Sequence, residues 1–350
     1  MIPGGYGLPP SSKILKKDRL PSFLERLLEE RIVFAPVRRG EVILIREIHA
    51  PSEVVLEYEN AKESPKSIFF PEREPLFRYR TEKGKVEVDI PPGRERSRVV
   101  FGIRPCDARG LLLLDKVLGG EYRDPYYFDK RAETLVVSLA CDHPNPSCFC
   151  LSMGGGPCSP EGSDLLLLDL SDGYLAEAVS ERGAALLEDP AFEKSDEESL
   201  AVAKKIKRES EVSMKPVAMK ENLEEHLERV FDDPVWKDLT ETCLGCGICT
   251  YLCPTCYCFD LCDEAAGSSG ERIRVWDSCQ FPLFTQQASG LNPRPTAKER
   301  FRQRIMHKFS YLPKSQAMLG CVGCGRCVTE CPVNLDIREV VKSLSGGNGG

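Results

Sequence analysis

Seven cysteines lie within twenty residues in the segment CLGCGICTYLCPTCYCFDLC, at 243–262. Thiols at this density are typical of three kinds of site: a disulfide framework, a structural zinc site or an iron–sulfur site. The disulfide framework fits poorly, because such frameworks stabilise small secreted domains, whereas a chain of 350 residues can bury a hydrophobic core without them. The spacing of the cysteines must therefore distinguish zinc from iron and sulfide.

The spacing C-x2-C-x2-C-x3-C-P occurs twice, at 243–254 and again at 321–332. Zinc sites commonly pair two C-x2-C units and do not call for this run, whereas bacterial ferredoxins bind [4Fe–4S] clusters with it. In ferredoxins the fourth cysteine of each run binds the other cluster, so the sequence predicts two clusters with crossed ligand sets. Site 1 is predicted to comprise Cys243, Cys246, Cys249 and Cys331, and site 2 to comprise Cys321, Cys324, Cys327 and Cys253.

A third [4Fe–4S] cluster is predicted in the first half of the chain. The strand-like segment at 98–104 leads into Cys106 and a helical pattern, and the strand-like segment at 134–140 leads into Cys141. If these strands are parallel neighbours, both thiols emerge at the same edge of the sheet, where ligand sites form. The helix N-terminus would also favour the thiolate of Cys106. With the C-x-C pair downstream, site 3 would comprise Cys106, Cys141, Cys148 and Cys150.

The remaining cysteines, and two of those at site 3, allow other interpretations. Cys106 and Cys141 could be buried thiols in the core instead of ligands of site 3. A further set could hold another metal, form a redox disulfide or pack around the two ferredoxin-type clusters; it comprises Cys256, Cys258, Cys262 and Cys279. Cys158 is interpreted as a bystander.

The net charge of −7 is unevenly distributed along the chain. Residues 291–350 carry ten Lys and Arg against four Asp and Glu, which leaves this part at +6 and the rest at −13. These basic residues either form a solvated helix face or offset the negative charge of thiolate-bound clusters. An acidic protein without a recognised motif is a poor candidate for nucleic-acid binding. Because no secretion signal opens the sequence and its apolar runs are too short to span a bilayer, we expect a cytoplasmic protein.

The pattern of elements predicts an α/β N-terminal domain followed by a C-terminal, loop-rich α+β domain of the two-cluster bacterial-ferredoxin type. Strands are expected at 41–48, 53–59, 85–90, 98–104 and 134–140, with a helix at 106–120. Strand, helix and strand at this spacing favour a crossover unit and a partly parallel sheet. The predicted boundaries are 1–190 for the α/β domain, 191–235 for a helical connector, 236–345 for the cluster domain and 346–350 for a disordered tail.

The chain resembles a family of iron–sulfur subunits that includes the β subunit of sulfhydrogenases and the A subunit of anaerobic sulfite reductases. The resemblance extends over nearly the whole chain and is most specific in FGIRPCDARGLLLLDKV, CDHPNPSCFC and WDSCQFPLFTQQ, which begin at residues 101, 141 and 276. It supports the same cysteines for site 3, and Cys158 lies outside its pattern.

The resemblance implies an electron-transfer subunit of a larger oxidoreductase. Such a subunit would link a flavin-containing subunit that uses NAD(P)H to a catalytic redox subunit of the hydrogenase, sulfite reductase or heterodisulfide reductase type. The alternative is a reductase subunit with its own iron–sulfur centre that reduces sulfur, sulfite or a disulfide. No other catalytic site is predicted from the sequence.

Overall fold

The computed structural model describes residues 11–90 and 97–346. Of the predicted disordered tail at 346–350, all but Gly346 lies outside the described residues. The strands are β1 (Ser12–Lys16), β2 (Ile32–Arg39), β3 (Val42–Ile48), β4 (Arg73–Glu82), β5 (Lys85–Asp89), β6 (Arg98–Ile103), β7 (Thr134–Leu139), β8 (Leu165–Asp169), β9 (Gly173–Ala178), β10 (Phe192–Lys194), β11 (Phe259–Ala266) and β12 (Ser269–Trp276).

The helices are α1 (Leu20–Glu30), α2 (Lys66–Phe69), α3 (Pro105–Leu118), α4 (Pro125–Ala132), α5 (Glu181–Leu186), α6 (Glu197–Ser213), α7 (Leu223–Arg229), α8 (Val235–Thr240), α9 (Ile248–Tyr251), α10 (Ala297–Met306), α11 (Leu312–Gln316), α12 (Arg326–Thr329) and α13 (Ile337–Leu344). A π-helical turn at His307–Tyr311 joins α10 to α11 without a break. No helix in the described ranges is long and apolar enough to cross a membrane.

The larger sheet has eight strands in the order β10-β1-β9-β8-β7-β6-β2-β3. Its centre, from β2 through β6 and β7 to β8, is parallel, and the flanking pairs are antiparallel. Every residue of β6 and β7 is buried, because α1 covers one face of the sheet and α3 covers the other. The first half of the chain is therefore a mixed α/β structure, and the predicted parallel pairing of β6 with β7 is confirmed.

The predicted strand at 53–59 is wrong, since most of this segment has no regular secondary structure. Its Val55 N–H donates to the Pro36 carbonyl of β2 over 2.8 Å. A second ladder cannot extend from there because β2 already has β3 on one side and β6 on the other. The apolar residues that suggested a strand pack against the sheet instead: Val54 and Leu56 on one face, Val55 on the other.

A second, antiparallel sheet joins the two halves of the chain, with strand order β11-β12-β4-β5. β4 and β5 come from the first half, and the β11–β12 hairpin comes from the sequence between the two cysteine runs. A buried charge network anchors this sheet: Arg274 of β12 contacts Glu74 at 2.5 Å and also pairs with Asp124, and Lys130 pairs with the same Glu74. The cysteine-rich part thus shares a sheet with the α/β part.

The helices that surround the cysteine runs pack around one apolar core. Trp236 of α8, Phe301 and Ile305 of α10 and Val340 of α13 belong to this core, together with Phe149 from the loop after β7. Helix α10 begins at a capping box in which Thr296 and Glu299 satisfy each other's backbone N–H groups. This helix carries Arg300 and Arg304 into the protein interior.

The buried charge network predicts that Arg274→Ala destabilises the protein. The substitution leaves Glu74 and Asp124 with one fewer buried partner, and removal of one member of a buried ion pair typically costs about 3–5 kcal/mol. Because Lys130 still pairs with Glu74, we expect about 3 kcal/mol in the free energy of unfolding from chemical denaturation. Arg272→Ala on the same strand is the control, since its pair with Asp263 is exposed, and it should change little. Equal effects of the two substitutions would contradict this account.

Candidate metal centre

The two cysteine runs fold in the same way. In each run two glycines adopt a left-handed conformation, Gly245 and Gly247 in the first and Gly323 and Gly325 in the second, with φ between 66° and 77°. Left-handed residues turn the backbone tightly around a bound group, and glycine adopts them without strain. The second glycine of each pair directly precedes a short helix, α9 or α12, which carries the third cysteine.

The thiols of site 1 line a single cavity. Cys243, Cys246 and Cys249 come from the first run and Cys331 from the second, and Arg304 of α10 forms part of the same wall. The backbone N–H of Leu335 donates to the Cys331 sulfur over 3.2 Å, and hydrogen bonds to ligand sulfurs help to set the potential of an iron–sulfur cluster. Cys246 is exposed, so site 1 has one side open to the surface.

The thiols of site 2 lie deeper. Cys321, Cys324 and Cys253 are buried, and the charge of Cys253 acts on each of the other three thiols, Cys327 included. Cys327 also lines the cavity of site 1, so the two sites adjoin. The structure thus brings the predicted residues together in the crossed arrangement, and their binding of iron remains a prediction.

Two buried cations face these thiols. The Lys308 ammonium, in the π-helical turn, donates to the Cys253 sulfur at 3.3 Å and to the Gly320 carbonyl at 2.6 Å. Burial by itself lowers the pKa of Lys308, but the charges of Cys253 and Cys256 outweigh it and the net pKa is raised. Arg304 lies one helical turn earlier, its pKa is also raised despite burial, and its guanidinium interacts with thiols of both sites, Cys249 and Cys327 among them. Both side chains therefore stay charged where thiolates would be held.

The structure brings the four cysteines of site 3 to the carboxyl edge of the parallel strands. Cys106 lies in the first turn of α3 after β6, Cys141 follows β7, and Cys148 and Cys150 lie in the loop that comes next. Burial raises the pKa of Cys148 to about 11 and that of Cys150 to about 12, with the charge of Cys141 contributing to both. In the thiol without metal, burial and the charge of Asp107 raise the pKa of Cys106 well above the usual value, so they outweigh the expected effect of the helix N-terminus. Ligation would deprotonate a coordinating thiol outright.

Site 3 packs directly against the second cysteine run. The Phe149 N–H donates to the Gly323 carbonyl over 2.8 Å, and a Cβ at Gly323 would lie 2.5 Å from the backbone of Cys150. The Arg326 guanidinium of α12 pairs bidentately with Asp107 of α3 at 2.6 and 2.7 Å. The Arg326–Asp107 pair lies beside thiols of sites 2 and 3, since the Arg326 charge interacts with Cys324 of site 2 and with Cys106 of site 3. Sites 1, 2 and 3 therefore form one continuous series.

The further set of four cysteines separates in the structure. Cys258 and Cys279 are neighbours, since each has the largest effect on the pKa of the other. Cys256 lies near Cys253, and the Arg304 guanidinium donates to the Cys256 sulfur over 3.6 Å. Cys262 lies apart on β11, with Asp260 at 3.6 Å. Cys158 is buried against Ser210 of α6, consistent with a bystander.

In the parts of the chain that the structure covers, no three His, Cys, Asp or Glu side chains form a group that could hold a single metal ion.

Several residues of these sites could not be recognised from the sequence. Arg304, Lys308 and Arg326 were visible only as part of a basic C-terminal region, and the buried Lys66 gave no signal. The Lys66 ammonium donates to the Cys256 carbonyl at 2.9 Å and lies over the ring of Trp276. Cysteine spacing reveals ligands, but no local pattern marks the cations that balance their charge.

The 4Fe-4S dicluster domain model matches residues 242–335, which contain every cysteine of sites 1 and 2, so this part of the chain is of the 4Fe-4S dicluster class. The chain is also 34% identical over 337 residues to sulfhydrogenase 2 subunit beta of Pyrococcus furiosus, which covers 95% of this chain and 98% of that protein. No solved structure matches the chain. The chain belongs to the family of iron–sulfur oxidoreductase subunits that includes the sulfhydrogenase β subunit.

The close contact at Gly323 predicts that Gly323→Ala destabilises the junction between sites 2 and 3. Its Cβ would be forced against the Phe149–Cys150 backbone, and overpacking of this kind costs typically about 1–3 kcal/mol. Gly267→Ala is a matched control, since Gly267 has φ of 63° but nothing within 4 Å of the added Cβ. The free energy of unfolding should therefore fall by about 1–3 kcal/mol more for Gly323→Ala than for the control. Equal losses would mean that the junction tolerates the added carbon.

Proposed function

We propose that this protein relays single electrons between two other redox subunits of one oxidoreductase complex. The observation that carries the proposal is the continuous series of sites 1, 2 and 3 through the interior. Adjoining sites of one-electron carriers suit a relay better than a single reaction chamber. The relative is named as the β subunit of a sulfhydrogenase, which supports partner subunits for this chain as well.

Each of the three sites would hold one [4Fe–4S] cluster through its four thiols. The ligands would be Cys243, Cys246, Cys249 and Cys331 at site 1, Cys253, Cys321, Cys324 and Cys327 at site 2, and Cys106, Cys141, Cys148 and Cys150 at site 3. Such a cluster supplies reversible one-electron transfer, at a potential set by its charge, hydrogen bonds and exposure. The buried cations and the left-handed glycines fit this group, since thiolate ligation adds negative charge that Arg304 and Lys308 offset.

The two ends of the series support two separate partners. Site 1 reaches the surface at Cys246, and site 3 reaches it through its loop, where His143 is 94% exposed. We infer that a flavin-containing NAD(P)H oxidoreductase subunit docks at one end and a catalytic subunit of the hydrogenase, sulfite reductase or heterodisulfide reductase type at the other.

Iron and sulfide analysis tests the number of clusters. Anaerobically prepared protein should contain about twelve iron atoms per chain if all three sites are filled, and about eight if only sites 1 and 2 are filled. Cys106→Ser should then lower the content by about four, whereas the matched control Cys158→Ser should leave it unchanged. Zinc in place of iron, or a chain without a paramagnetic signal after reduction, would refute the relay. So would reduction of sulfite, sulfur or a disulfide by the isolated chain, which would instead support a reductase with its own centre.

Removal of the Lys308 charge should lower the reduction potential of the cluster at site 2. A buried ammonium beside a thiolate stabilises the reduced, more negative state, so Lys308→Gln should shift the midpoint downward on the order of 50–100 mV. Lys314→Gln, six residues later on the surface, is the control and should leave the potential in place. The measurement is a redox titration followed by electron paramagnetic resonance, with iron content as the check on assembly. An unchanged potential with full iron content would show that Lys308 has only a structural role.

A further inference from the structure

Two thiols that the three sites do not use lie side by side at the base of the β11–β12 hairpin. The pair of residues at the open end of this hairpin is Phe259 and Trp276. Cys258 directly precedes β11, and Cys279 comes shortly after β12. The Asp277 N–H donates to the Cys258 carbonyl over 3.0 Å and holds the two chain segments together. The Cys258 and Cys279 side chains lie close enough that each is the largest influence on the pKa of the other. We call them the thiol pair.

The surroundings of the thiol pair stabilise negative charge on Cys279. The Gln280 amide donates to the Cys279 sulfur at 3.5 Å, and the positive charges of Arg304 and Lys308 act on the same atom. Cys279 itself is buried, whereas Cys258 is partly exposed. The pair therefore combines a buried sulfur in a cationic setting with a partner that water can reach.

The thiol pair also adjoins site 1. Gln280, the residue after Cys279, lines the cavity of site 1, and Cys249 lies close enough to Cys279 for their charges to interact. The other two members of the set lack these contacts. Cys256 is engaged with Cys253 and Arg304, and Cys262 lies among acidic residues on the hairpin surface.

We propose that Cys258 and Cys279 form a redox-active dithiol–disulfide couple that exchanges electrons with site 1. The proposal rests on the proposed function, because a one-electron iron–sulfur carrier must donate or accept one electron twice. In the reducing direction the S–S bond breaks as two electrons and one proton enter, which leaves a thiol hydrogen-bonded to a thiolate. The proton comes from water at the exposed side of Cys258, and the thiolate remains at Cys279 beside Arg304 and Lys308. Oxidation reverses each step.

This couple would give the relay a two-electron store next to one-electron carriers. Flavins and disulfides exchange electrons in pairs, whereas each iron–sulfur cluster passes them singly. A dithiol beside site 1 would let the chain hold a pair of electrons until a partner takes both. The redox-disulfide interpretation of the cysteine set is thereby narrowed from four residues to two.

Thiol mapping of the holoprotein at controlled potential tests the proposal. The protein is poised anaerobically with mediator dyes from oxidising to reducing potentials, alkylated with iodoacetamide and analysed by peptide mass spectrometry. We expect a linked Cys258–Cys279 peptide in oxidised samples and two alkylated thiols in reduced samples. In a reductive titration, Cys258→Ser and Cys279→Ser should each take up two fewer electrons per chain than the unsubstituted protein, with the same iron content. Cys262→Ser on the same hairpin is the control and should keep the full count.

Two results would contradict the proposed couple. The first is equal alkylation of both thiols at every potential. The second is loss of iron or zinc from the Cys258 and Cys279 variants, which would show that these cysteines are metal ligands. Mapping of the unsubstituted protein keeps the test decisive if either variant folds poorly. Failure of the relay itself has a different signature, because it would appear as missing iron and a missing paramagnetic signal in the unsubstituted protein. Iron content, spectra and thiol state are measured on the same samples.

Discussion

The structure depends on the compensation of negative charge by buried cations. Eight thiols of sites 1 and 2 converge in a small volume, and as thiolates they would repel one another strongly in a medium of low dielectric constant. Arg304 and Lys308 enter this volume from one helix and its π-helical turn, and both remain charged there. A buried cation is itself costly without a partner, so the thiols and the cations stabilise each other.

The same principle links the two halves of the protein. Arg326 follows directly after a left-handed glycine of the second cysteine run, and its bidentate pair with Asp107 crosses to the helix that begins site 3. Arg274 forms the corresponding buried pair between the hairpin and β4. Because burial prevents either partner from being solvated alone, these pairs fix how the sheet edge and the cysteine runs are placed. A relay needs this fixed placement, since electron transfer depends on distance.

The β11–β12 hairpin gains its importance from position. Its strand β11 is largely exposed, yet the base of the hairpin brings Cys258 and Cys279 together, and β12 pairs with β4 of the first half of the chain. The chain thereby places a thiol pair next to site 1 without adding a domain. One element accordingly serves both the packing of the two halves and the chemistry proposed between them.

The sequence by itself identified the family and predicted a partly parallel sheet, which β6 and β7 form, because cysteine spacing and apolar periodicity are local properties. The ligand sets that it predicted remain predictions. The sequence could not locate the buried cations, the proximity of Cys258 and Cys279 or the sheet that the two halves share. The strand predicted at 53–59 is wrong, because β2 already pairs with β3 on one edge and with β6 on the other. The predicted domain boundaries at 190 and 236 remain predictions. The cation positions, the thiol pair and the shared sheet arise only when residues distant in the chain meet, such as Arg326 with Asp107 or Arg274 with Glu74. The tertiary structure decided them because charge compensation and burial depend on neighbours in space.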